Sequence, residues 1–89
     1  MNNEQPEQFE SFENWLANRP QMQKDLEGIF NAGLIDGTYA DLIPTISKQE
    51  DAVRIQNLVA EYAEQEKVKN RAGAKATAKQ ISAIFDALL

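Results

Sequence analysis

The 89-residue chain contains no cysteine and no histidine. The first absence excludes disulfides, thiolate metal sites and a cysteine nucleophile. The second removes the side chain most often used as a general base near neutral pH. No apolar run approaches the ~18 residues needed to span a bilayer, and Met1-Asn2-Asn3-Glu4-Gln5 has neither the basic nor the apolar region of a signal peptide. The expectation is a soluble, cytoplasmic protein that does not engage membranes. Lysine and arginine are missing from the whole stretch between Asp25 and Ser47, where Glu27, Asp36 and Asp41 occur instead. That gap disfavours a helix-turn-helix reading of residues 20–43, because a recognition helix needs cations for the phosphates it approaches.

What the chain does have is helical periodicity. From Ser47 to about Arg71, Ala52, Val53, Ile55, Leu58, Val59, Tyr62 and Ala63 recur at three- and four-residue steps. This is the longest periodic stretch, and its apolar stripe calls for partners. Ser47-Lys48-Gln49-Glu50 has the spacing of a capping box at its start. Leu58 is expected in the core, where truncation to alanine costs about 2 to 5 kcal/mol.

The other segments fit around that helix. Pro6 to about Asn18 predicts a first helix, with Phe9, Phe12, Trp15 and Leu16 as its apolar residues and Glu7, Glu10 and Glu13 elsewhere. Proline 20 ends it, since the residue before a proline is pushed out of the helical region. A second helix is predicted from Pro20 to Ala32, closed by Gly33 in a left-handed cap. Asp36-Gly37 marks a turn, and Thr38 with Asp41 starts a short helix that ends before Pro44. Thr77 with Gln80 repeats the capping-box pattern ahead of Ile81, Ile84, Phe85 and Leu88, which spell a last amphipathic helix. No stretch alternates with a period of two. The fold class is therefore all-α: a compact bundle of four main helices plus one short helix, no sheet, in a single domain over 1–89 with residues 1–5 frayed.

Between the last two helices lies a tract rich in alanine and lysine, read as a solvated helical extension or a hinge at 72–76 broken at Gly73. A helix from Ser47 to Arg71 already runs about 36 Å, so the chain either folds back there or offers its last helix to another molecule. The tract also holds the one charge pattern above background. Lys67, Arg71, Lys75 and Lys79 recur every fourth residue with Lys69 beside them, and on a continuous helix they form a cationic ridge. The net charge of −5 is unevenly spread: residues 1–46 carry eight acids and two bases, residues 47–89 six acids and seven bases.

Few residues suggest chemistry. Asp36, Tyr39 and Asp41 are accounted for by turn and cap roles, and Asp36–Asp41 fails the spacing of a calcium loop. No catalytic, cofactor or metal residues are assigned, and an enzyme is not expected. The reading is a non-catalytic protein-binding module, an adaptor, inhibitor or assembly factor of the kind seen among viral and mobile-element accessory proteins. Its candidate partner-binding residues are Lys67, Lys69, Arg71, Lys75 and Lys79. The partner is another protein or complex. The alternative is a nucleic-acid-associated protein using the same ridge, and self-association through the long or C-terminal helix is a further route.

Overall fold

The computed structural model describes residues 11–89. Four α-helices occur among them: α1 (Phe12–Ala17), α2 (Pro20–Asn31), α3 (Gln49–Lys67) and α4 (Arg71–Asp86), with a 3-10 helix, Gly37–Thr45, between α2 and α3. No strand is found among the described residues. The fold is the all-α bundle that the periodicity called for.

Among the described residues, helix α1 begins at Phe12. Ser11 is its N-cap, in extended backbone, and its hydroxyl accepts the Asn14 N–H at 3.2 Å. The expected start at Pro6 and the contribution of Phe9 lie outside the described residues. Phe12 and Trp15 are buried and belong to the core. Arg19 adopts a non-helical backbone ahead of Pro20, as a pre-proline residue must, and Pro20 then takes the first position of α2, where its missing N–H costs nothing. The Arg19 guanidinium covers the Trp15 ring at 3.5 Å and donates to the Trp15 carbonyl at 3.1 Å, tying the corner between the two helices.

Helix α2 ends as read. Gly33 is left-handed at φ 75°, its N–H donates to the Phe30 carbonyl, and the Leu34 N–H donates to the Ile29 carbonyl. Those two bonds are a Schellman cap. The cap in the next segment belongs to Asp36 rather than Thr38. The Asp36 carboxylate accepts both the backbone N–H and the hydroxyl of Thr38, and these bonds hold its pKa below the ordinary carboxylate value. The short helix that follows is 3-10 and includes Pro44.

Helices α3 and α4 form an antiparallel hairpin. Gln65 near the end of α3 meets Thr77 of α4, while Ser47, Asp51 and Arg54 at the other end face Ile84, Ala87 and Leu88. The pairing is close because α4 turns small residues, Ala74, Thr77 and Ala78, toward its neighbour together with Ile81 and Phe85. The alanine-rich tract is thus core-forming on one face. It is neither a solvated extension nor a hinge. From α3, Ala52, Ile55, Val59 and Tyr62 are buried, whereas Leu58 is only half-buried and Val53 is exposed. Ile46 is buried just before α3. The Ser47 capping box does not form: Lys48 is the N-cap of α3, without a side-chain cap.

Candidate functional site

The position of the break between α3 and α4 decides what the cationic tract can do. Helix α3 stops at Lys67, and the chain reverses through Val68, Lys69 and Asn70. Lys69 takes the left-handed conformation, φ 60°, donating its N–H to the Glu66 carbonyl while the Asn70 N–H donates to the Gln65 carbonyl at 2.8 Å. This is a second Schellman cap, with lysine where glycine is usual. Gly73, expected as the break, lies instead in the first turn of α4. Asn70 caps that turn, its side-chain oxygen accepting the Gly73 N–H at 3.0 Å. A Cβ at Gly73 would sit 2.4 Å from the Asn70 amide nitrogen and 2.9 Å from that of Gln65. The glycine therefore supplies room rather than backbone freedom. Thr77 has no capping role in mid-helix; its hydroxyl is buried and donates to the Gln65 side-chain oxygen at 2.7 Å.

The continuous ridge does not exist, because its first member is on a different helix. Lys67 belongs to the last turn of α3, where it suits the helix dipole and lies 3.8 Å from Glu64. Lys69 is at the tip of the turn beside Val68, which is 71% exposed. Arg71, Lys75 and Lys79 follow on α4 at successive turns, all three exposed. Lys69, Arg71, Lys75 and Lys79 form no ion pair among the described residues.

The α4 cations border concave surface. Lys75 and Lys79 line a depression of about 470 Å³ together with Gly33, Leu34, Ala72 and Ala76. A smaller one, about 230 Å³, adjoins it, sharing Leu34 and Lys75 and adding Arg71, Tyr62 and Glu66. Burial and the Glu66 carboxylate both raise the Tyr62 phenol above its ordinary value. Leu34, Ala72 and Ala76 were not singled out from the sequence. The available signal was the spacing of Ala72 and Ala76, one turn apart and flanked by Lys75 and Lys79; the approach of the α2 cap to that face is a tertiary fact.

Elsewhere the titratable groups serve the fold. The Tyr39 hydroxyl donates to the Asp86 carboxylate and its ring stacks on Phe85 with centroids 5.8 Å apart, joining the 3-10 helix to the end of α4. That hydrogen bond, with burial and the nearby acids, raises the Tyr39 pKa. Among the described residues no group of three or more acids, histidines or cysteines is placed to hold a metal ion, and no helix is long and apolar enough to cross a membrane. Comparison with protein-family models, with curated proteins and with solved structures gives no match.

Proposed function

We propose that the protein is a non-catalytic binding module that occupies a surface of another protein through the exposed face of α4 and the turn before it. The observation that supports this reading is the electrostatic misplacement of the cations. A lysine near the end of a helix complements its dipole, and Lys67 does so. The break at residues 68–70 puts the next cations on the opposite footing: Arg71 is the first residue of α4, at the positive end of that helix, and no acid stands in its first turn. A cation there costs roughly 0.3 to 1 kcal/mol. Arg71, Lys75 and Lys79 also repel one another at four-residue spacing, and among the described residues no carboxylate forms an ion pair with them. Among the described residues these charges have no ion-pair partner to hold them in the fold, which supports a role in an external contact.

The test replaces Arg71, Lys75 and Lys79 together by glutamine. The fold should survive with unchanged or slightly higher stability in urea, since repulsion is relieved and glutamine is a good helix former. A partner retained by the unmodified protein from a lysate of the source cell should bind the variant more weakly, mainly through slower association, and with a flatter salt dependence. Unchanged affinity and salt slope in the folded variant would overturn the reading.

A further inference from the structure

The depression beside α4 pairs an apolar floor with a cationic rim. Leu34 is half-buried, and Ala72 and Ala76 present only methyl groups one turn apart, so a second helix could approach α4 closely over this stretch. Lys75 and Lys79 stand on the rim, and Arg71 continues the row past the adjoining depression. Successive cations rise about 6 Å along the helix axis. Carboxylates placed every fourth residue on a facing helix repeat at the same distance. The tip of the turn adds Lys69, held left-handed where glycine would be less strained, next to the exposed Val68.

We infer that the occupant of this groove is an acidic amphipathic helix of the partner protein. Resting on the binding-module reading above, this inference gives the partner's contact segment a chemistry. An apolar side chain of that helix fills the space over Leu34, Ala72 and Ala76, and carboxylates on the same side meet Arg71, Lys75 and Lys79. A nucleic acid fits less well. The floor offers methyl groups and no exposed aromatic face for a base to stack on.

The probe is an alanine-based 16-residue helical peptide with glutamates at four-residue spacing flanking two leucines, and a control peptide with glutamine for each glutamate. Both are titrated into the isotopically labelled full chain and followed by NMR. The glutamate peptide should shift the Leu34, Ala72 and Ala76 resonances, and Lys75→Gln with Lys79→Gln should weaken it about three- to tenfold, the scale of losing two exposed ion pairs. The glutamine peptide should bind no more tightly than the double variant binds the acidic one. Equal binding of both peptides, shifts confined to other surfaces, no binding, or more effective displacement by a 20-nucleotide single strand or duplex would each overturn the inference. A cellular partner that depends on the α4 cations but leaves the Leu34 and alanine methyl resonances unmoved would overturn the groove while sparing the broader reading. A partner indifferent to those cations would remove both.

Discussion

Replacing Gly73 by alanine in two backgrounds distinguishes a left-handed hinge from a crowded helical turn. At a left-handed glycine, any Cβ costs about 1 to 2 kcal/mol, whatever surrounds it. In the helical first turn of α4, alanine instead gains about 0.8 to 1 kcal/mol of helix propensity. The new Cβ must then displace the Asn70 side chain, 2.4 Å away, and with it the cap to the Gly73 N–H. Loss of such a cap costs about 0.5 to 2 kcal/mol, so Gly73→Ala alone should come out within about 1 kcal/mol of neutral. Asn70→Ala alone should destabilise by about 1 kcal/mol. In the Asn70→Ala background only the Gln65 amide nitrogen, 2.9 Å away, must still shift by a few tenths of an ångström while its oxygen keeps the bond from Thr77, and Gly73→Ala should now stabilise by up to about 0.5 to 1 kcal/mol. The companion substitution Lys69→Gly removes the strain of φ 60°. It regains about 1 to 2 kcal/mol, less about 0.4 to 1 kcal/mol for the added freedom of the unfolded chain. Thermal unfolding followed by circular dichroism resolves these values, since 1 kcal/mol moves the melting temperature of a domain this size by about 4 to 8 °C. Destabilisation by Gly73→Ala in the Asn70→Ala background, or by Lys69→Gly, would refute the placement of the break at residues 68–70.

Ile55→Ala should cost about 2 to 5 kcal/mol and Leu58→Ala clearly less, about 1 to 2 kcal/mol, because Ile55 is fully buried and Leu58 lies at the core's edge. Equal losses in urea would contradict that ranking. Gly28 is exposed within α2, and a Cβ there would meet nothing within 4 Å, so Gly28→Ala should raise stability by about 1 kcal/mol on thermal melting. Tyr39 has a folded pKa above its ordinary value of 10.0, so its contribution is complete below about pH 10 and is lost as pH rises through the higher folded value. Tyr39→Phe should therefore flatten the fall in stability above pH 10 without abolishing it, because Tyr62 is raised as well; an unchanged alkaline profile would count against the contact with Asp86.

Long-range regularities were legible in the sequence and short-range competitions were not. The second helix emerged nearly to the residue because Pro20 and Gly33 each leave the backbone one cheap option. The core face of the last helix followed from Ile81 and Phe85. The capping boxes at Ser47 and Thr77 failed for different reasons. Lys48 takes the cap of α3 with no side chain bonded, while Thr77 is drawn into the helix interior by Gln65, twelve residues away. The break after Lys67 was read one turn too late, since a left-handed lysine is disfavoured in isolation and Gly73 stood nearby as the obvious alternative. What settles it is the side chain of Asn70, which begins the next helix by accepting from Gly73. The four-residue spacing of the candidate cations was visible, but their division between two helices was not, because a periodic spacing has meaning only on one continuous helix.

That regrouping bears directly on the proposed role. On an uninterrupted helix the cations at 67–79 would form one ridge, and those nearest a C-terminus would be favourable. A reversal of three residues changes the sign of the helix field that Arg71 experiences without changing the sequence. It also brings the apolar face of α4 back onto α3, so that Ala74, Thr77 and Ala78 are consumed by packing and the opposite side, bearing Ala72, Lys75, Ala76 and Lys79, is left outward beside the cap of α2. The same turn thus completes the core and creates the groove. Binding through that groove would draw on repulsion already present in the free protein: a carboxylate arriving between Arg71 and Lys75 relieves a like-charge pair as it forms its own contacts, and an acid near the first turn of α4 complements the dipole that Arg71 opposes. On the proposed binding, an anionic partner would recover on association the small stability cost that the like charges impose on the free protein.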